Sequence, residues 1–394
     1  MRAMLPFLLI TLLPSAAARA ADEPDPASAL RNGKATLDLR TRYEHVDDKG
    51  SAKTADALTD KLALSYQSGE WKGLSTFLQV EDVAALGTPL RYSVPQVGAG
   101  DPTRAVVTDP PGSRVNQFYV GWKGLKAGRQ AVDLDDQRFI GSVGWRQFGQ
   151  TFTGASFTNA TWIPRTDFMV ARFTQVATIF GTTKDARLDL AHARVALWPG
   201  AHLTAFRYAV EEMAAPATSF AHSGARLDGE TEGVLYEASY ASQRRFRDAT
   251  AAGTLDASYR LAGLGYAFTP SHSLMVVQEE LEPGFKTPYA TLHAWNGWAD
   301  RFLSTPTGGL RDRFARYRGR AGAWSLEAAY HAFNAQSDGT AFGHEADLSV
   351  EYQAASWAKV MIKGARYLAD PATPALGGPN RDLTKFWVQT ALHF

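Results

Sequence analysis

Apolar and polar residues alternate along most of this chain, most cleanly in its last twelve residues, Leu383 to Phe394. Phe394, Leu392, Thr390, Val388 and Phe386 fall on one side of an extended backbone; His393, Ala391, Gln389, Trp387 and Lys385 fall on the other. A period of two predicts a β-strand with one apolar and one mixed face. Lys34 to Glu44 repeats it, with Ala35, Leu37, Leu39, Thr41 and Tyr43 against Thr36, Asp38, Arg40, Arg42 and Glu44. Thr59 to Gln67 and Leu74 to Val83 do so again. A helix would not segregate these charges, because its faces recur every 3.6 residues. In water a terminal apolar edge of this kind invites aggregation. In a closed membrane barrel each strand is paired on both sides, lipid covers the apolar face and water the other.

The gaps between runs alternate in length. Gly69 to Lys72, Lys123–Gly124, Pro199–Gly200 and Thr269 to Ser271 are tight; Val46 to Ala57, Ala84 to Ser113, Ala131 to Gln150 and Glu282 to Gly309 are long. This is the parity of a meander with hairpin turns on one rim and loops on the other. The expected fold is all-β, a transmembrane antiparallel up-and-down β-barrel of about eighteen strands, with sixteen the next count, short periplasmic turns and long extracellular loops. Ser219 to Leu227 and Leu310 to Arg318 carry charge on both faces and are the least regular runs. Tyr66, Trp71, Trp122, Trp162, Trp198, Phe268 and Phe394 lie beside the short turns, as an interfacial aromatic girdle would.

Residues 1–20 read as a secretory signal, with Arg2, an apolar run from Met4 to Leu13 and the small-x-small site Ala18-Arg19-Ala20. Residues 21–33 are then a short periplasmic segment and 34–394 a single barrel domain, exported to the outer membrane of a Gram-negative cell. After the signal no apolar run has transmembrane-helix length, which excludes a helical membrane protein. Cysteine is absent, so there is no disulfide framework or thiolate metal site. Lys and Arg total 41 against 40 Asp and Glu, so net charge argues for no nucleic acid or other polyanionic partner. Arginine outnumbers lysine 29 to 12, and its planar fork suits carboxylates.

Two blocks resemble the alginate export porin family. The first is Gly128-Arg129-Gln130 followed by Asp136 to Gln147 and Gln150-Thr151-Phe152; the second is Thr287 to Phe302. Arg42-Tyr43-Glu44 and Glu81-Asp82-Val83 extend a weaker likeness. The sequence departs from the family pattern at Val176 to Gly181, with Ala and Thr before Ile-Phe-Gly, and at Thr153. The resemblance implies an eighteen-strand barrel, a monomer, an Arg-lined narrowed pore for a uronate polysaccharide, and a loop folded over or into the lumen.

A polyuronate needs a series of weak cationic sites rather than one deep well, since conduction requires release. The candidate pore-lining residues are Arg40, Arg42, Arg129, Arg138, Arg146, Arg207 and Lys385; salt bridges between neighbouring strands are the competing assignment for each. In the long loop, His293, Trp295, Asn296, Trp298, Asp300 and Arg301 form a candidate constriction, with Trp295 and Trp298 able to stack on sugars; a structural plug is the alternative. Asp133, Asp135 and Asp136 lack the glycine of a hand-type calcium loop, so pairing with Arg138 and Arg146 is expected instead. No His-Glu-x-x-His box, Gly-x-Ser-x-Gly elbow or phosphate-cradling motif appears, and no cofactor or metal is implied. The expected function is a passive channel for an anionic saccharide or small organic solute, bounded by outer-membrane lipid. The alternatives are a general diffusion porin and an outer-membrane barrel enzyme. The solute, the direction of transport and periplasmic partners are not encoded in any motif.

Overall fold

The computed structural model describes residues 25–87, 89–159, 161–371 and 376–394. The signal assigned to residues 1–20 lies outside them. Eighteen antiparallel strands form one closed sheet. The first three are β1 (Lys34–Asp48), β2 (Ala55–Gln67) and β3 (Leu74–Ala85). Next come β4 (Gly112–Trp122), β5 (Leu125–Gln130), β6 (Thr151–Asn159), β7 (Thr166–Ala177), β8 (Thr183–Trp198) and β9 (Ala201–Glu212). Then follow β10 (Phe220–Thr231), β11 (Val234–Arg245), β12 (Ala257–Thr269), β13 (His272–Leu281) and β14 (Leu310–Ala321). The last four are β15 (Trp324–Asn334), β16 (Ala341–Ala355), β17 (Ala358–Ala369) and β18 (Leu383–His393). Each strand pairs with its sequence neighbour, and β1 pairs with β18 from Asp38↔His393 to Asp48↔Leu383, which closes the cylinder. Closure leaves no unpaired edge for lipid to meet.

The alternation predicted for the first three strands and the last is the alternation observed. On β3, Leu78 and Val80 are exposed outward while Glu81 and Val83 are buried inward. Trp122, Trp162, Trp198, Phe268 and Phe394 are exposed beside the short turns, joined there by Trp324, Tyr352 and Trp357. Both irregular runs are strands. The first long gap is shorter than expected, because β1 continues to Asp48 and β2 begins at Ala55. Val46, Ala55 and Ala57 are packed inside there. Before β1, α1 (Pro26–Arg31) is capped by the Asp25 carboxylate, and its Ala29 carbonyl accepts from Gly69 N–H at 2.9 Å.

Strand β5 has six residues, against eleven in β4 beside it. After Gln130 the chain leaves the wall and enters the lumen, returning at Thr151. Gly128 makes this close packing feasible: its φ is 132°, and a Cβ there would sit 2.2 Å from the Phe118 carbonyl oxygen.

Candidate functional site

The lumen is filled across its middle by residues 131–150 and 282–309, the two blocks that carried the family resemblance. They bind one another through backbone. Gly141 N–H donates to the Tyr289 carbonyl at 2.9 Å, and Thr291 N–H to the Gln137 carbonyl at 3.0 Å. Gln150 Nε2 donates to both Gly141 and Tyr289 carbonyls. The loop between β3 and β4 adds Asp109, whose Oδ1 accepts from Gln147 N–H at 2.8 Å.

Charged side chains then fix this plug to the wall. Arg146 bonds to Asp300 at 2.9 Å and to Glu44 of β1 at 3.2 Å, with all three side chains buried. Lys385 of β18 reaches the same Asp300 Oδ2 at 2.6 Å. Arg138 pairs with Glu279 of β13 at 2.6 Å and donates to Asn296 at 3.2 Å. Arg301 clasps Asp48 at 3.0 Å. Burial by itself would lower the pKa of Arg146, but Glu44, Asp300 and Asp109 more than offset it, and the net shift is upward. Asp300 is pushed up by burial, yet the ring of His293 and the cations Lys385 and Arg146 outweigh that and hold its carboxyl well below the usual range. His293 lies well below its ordinary value, chiefly because it is buried, with Lys363 and Arg146 adding to the effect against Asp300. It is therefore a neutral ring, within 2.8 Å of Asp300 Oδ1 and 2.9 Å of Lys363 Nζ.

Aromatic rings complete the plug. His293 stacks on Trp145 at 4.3 Å, and Trp145 meets Trp387 of β18 edge-on at 5.6 Å. Lys363 of β17 stands 3.7 Å from the Trp298 ring and 4.2 Å from Trp145, within cation–π range. Arg138 covers Trp295 at 5.0 Å.

This geometry redistributes the residues singled out from sequence. Arg40, Arg42, Arg138, Arg146 and Lys385 do point inward, but each is engaged by the plug or the wall rather than presented to a passing solute. Arg40 donates to the carbonyls of Gly144 and Arg146 and to Gln147; Arg42 bonds Gln389 and the Trp145 carbonyl, 3.6 Å from Asp109. Arg129 and Arg207 are not in the lumen. Arg207 alternates with inward Phe206 and Tyr208 and faces outward beside Leu203, bonding Ser223 at 2.9 Å. Arg129 shares the outer face with Leu125 and its register partner Phe118. Its guanidinium bonds the Val115 carbonyl at 3.0 Å, beyond the end of the β4–β5 ladder. One face of Trp295 is covered by Arg138 and one face of Trp298 by Lys363. The loop carboxylates pair elsewhere than expected: Asp135 with His192 and Arg194, Asp136 with Arg226. No metal-binding cluster occurs among the described residues.

The cations that do face open lumen were not identified from sequence. On β14, Asp312, Phe314, Arg316, Arg318 and Arg320 share the inner face, while Arg311 and Arg313 stand outside with Glu280 and Gln278. Charge on both faces obscured the phase. Two-residue steps set the three inner arginines about 7 Å apart. Arg318 pairs with Glu327 at 3.2 Å; among the described residues, no carboxylate lies within ion-pair distance of Arg316 or Arg320. Arg318 and Arg320 line a cavity of about 560 Å³ at the periplasmic mouth, with Glu230, Glu327 and Glu351. A second space of about 540 Å³ lies under the plug against β1 to β4, lined by Arg40, Lys61, Gln79 and Glu81.

Among solved structures, OpdO of Pseudomonas aeruginosa aligns with 93% of this chain and 98% of its own at TM-score 0.70 and 14% identity. OpdK of the same organism, solved with vanillate, aligns over 93% and 100% at TM-score 0.69 and 15% identity. OccAB1 of Acinetobacter baumannii aligns over 93% and 98% at TM-score 0.68 and 14% identity. The fold is that of the outer-membrane porins. At these identities the likeness is one of fold alone. No family model and no curated protein matches the chain, so the alginate export resemblance stays with the residues that carry it.

Proposed function

We propose that the chain is a passive outer-membrane channel for small carboxylate-bearing solutes, uronate saccharides of the alginate type among them. The observation that carries this reading is the inner-face series Arg316, Arg318 and Arg320, which runs from beneath the plug to the periplasmic mouth. Evenly spaced cations of partial strength let an anion step from one to the next, whereas a single deep site would retain it. The plug adds selection by size: three loops occupy the lumen, so a solute passes in single file and a polymer only if the loops yield. Vanillate, held by one fold neighbour, is a small carboxylate, which agrees with this class. One chain closes its own barrel, so the reading needs no second subunit, and it includes no catalytic step or cofactor.

The test is ion selectivity in planar bilayers with Arg316→Gln, Arg320→Gln and the double variant. An arginine in a hydrated lumen contributes about 1 kcal/mol to a nearby anion, so each single change is expected to reduce anion preference about fivefold. Uronate oligomers are expected to block the current. Cation preference in the unaltered protein, or equal passage of neutral and anionic sugars, would instead describe a general diffusion porin.

A further inference from the structure

The outer wall between β16, β17 and β18 carries a dent of about 430 Å³. Its floor is Gly364. A Cβ added there would have only the Lys385 carbonyl oxygen nearby, at 3.8 Å, so the space above the glycine is open. Leu348 and Phe386 flank Gly364 in register, and Val350 and Ile362 continue the walls. Leu348 and Ile362 are each 51% exposed and Phe386 40%, while the alternating residues Asp347, Lys363 and Lys385 are buried inward. The dent is therefore apolar and faces the lipid.

Arg366 stands two residues above Gly364 on the same outer face, exposed and flanked in register by Ala346 and Thr384. Other outward arginines are engaged: Arg172, Arg260 and Arg311 hold the carboxylates of Asp189, Glu282 and Glu280, while Arg129, Arg207 and Arg313 bond the Val115 carbonyl, Ser223 and Gln278. No carboxylate lies within ion-pair distance of Arg366 among the described residues. Arg366 lies eight residues along β17 from its start at the periplasmic turn. At about 3.4 Å per residue and a tilt of about 40°, that raises it roughly 20 Å. The apolar band of such barrels is about 25 Å tall, so the Arg366 backbone lies about 5 Å below its outer edge, within the reach of an extended arginine side chain that carries the guanidinium to headgroup depth, and the dent descends from it into the outer leaflet.

We infer that this dent is a binding site for a phosphorylated glycolipid of the lipid A type, with an acyl chain along Gly364 and a phosphate on Arg366. An apolar concavity that only lipid covers selects a hydrocarbon chain. A guanidinium without a carboxylate at headgroup depth selects a phosphate, which its fork can hold by two parallel hydrogen bonds. The outer leaflet supplies both groups on one molecule. The inference concerns the outside of the barrel and does not depend on what crosses the lumen.

Native mass spectrometry of protein extracted in mild detergent, then supplied with lipid A or phosphatidylglycerol, tests it. The unaltered protein is expected to retain lipid A in preference to phosphatidylglycerol. Arg366→Gln is expected to retain about fivefold less, the change for one arginine at an anionic lipid surface. Gly364→Leu fills the dent without altering charge and is expected to lower retention too, whereas Arg207→Gln, outward but without a dent, leaves it unchanged. Heat-modified electrophoretic mobility reports whether each variant is folded; if Gly364→Leu is not, Arg366→Gln decides. Equal retention of phosphatidylglycerol, or retention unchanged in Arg366→Gln, overturns the assignment.

Discussion

Replacing Asp300 by Asn should release the plug without unfolding the barrel. Asp300 accepts from Arg146 at 2.9 Å and from Lys385 at 2.6 Å, and its side chain is 4% exposed. The amide keeps the size and removes the charge, leaving two buried cations short of a partner. Removing one member of a buried pair costs about 3–5 kcal/mol. The eighteen-strand ladder is untouched, so the cost falls on docking of residues 282–309. At about 1.4 kcal/mol per tenfold, the lower figure increases the undocked population on the order of a hundredfold. Arg301 reports it: its side chain is 15% exposed in the docked loop, where it clasps Asp48. Limited trypsin treatment should cleave after Arg301 on the order of a hundredfold faster in the variant, because cleavage follows the open population when reclosing is fast. Asp300→Asn combined with Lys385→Met removes one stranded cation, and Arg146 still has Glu44. The pair should therefore couple by about 0.5–3 kcal/mol toward recovery. A cleavage rate within about twofold of the unaltered protein would show that backbone pairing between the loops, not this carboxylate, holds the plug, and the reasoning would fail.

Docking of the same loop should weaken on acidification. His293 lies below its ordinary value when docked, so between that lowered value and about pH 6.5 the undocked loop binds the extra proton. Stability is fully present above about pH 6.5 and falls by about 1.4 kcal/mol per unit below it, with Asp300 adding the same sign at lower pH. Current fluctuations recorded from pH 7.5 to pH 5 should increase, and a flat response would contradict a neutral docked His293. Arg138→Met strands Glu279 and should increase loop cleavage by a similar factor to Asp300→Asn, read by the same proteolysis. Gly128→Ala places a Cβ against the Phe118 carbonyl at a positive φ; refolding yield into detergent should drop, with about 1–3 kcal/mol lost in denaturant titration.

The alternation of side chains was enough to read the cylinder, because lipid and water impose opposite demands on successive residues and no packing choice can override them. It also gave the correct inward facing for Arg40, Arg42 and Lys385. It failed for Arg207 because the charge was taken to mark the lumen, whereas the aromatic rings of Phe206 and Tyr208 are the residues that point inward on that strand. Arg129 misled for another reason. It belongs to a motif, but it faces outward and bonds the Val115 carbonyl where the wall is notched, which spacing cannot reveal. The ionic clasp was beyond a strand-by-strand reading, since Glu44, Asp300 and Lys385 come from three distant parts of the chain. The arginine series on β14 was the nearest miss: Arg316, Arg318 and Arg320 keep step with Phe314, and only Arg311 and Arg313 on the other face concealed it.

The plug touches β1 and β18 more intimately than a general filling would require. Arg42 and Glu44 come from the first strand and Lys385, Trp387 and Gln389 from the last, and Arg42 joins Gln389 directly at 3.0 Å across the closing seam. Closing the cylinder therefore also completes the plug's anchorage. An open precursor sheet would lack both its last ladder and its stopper's anchors, and the two are completed together.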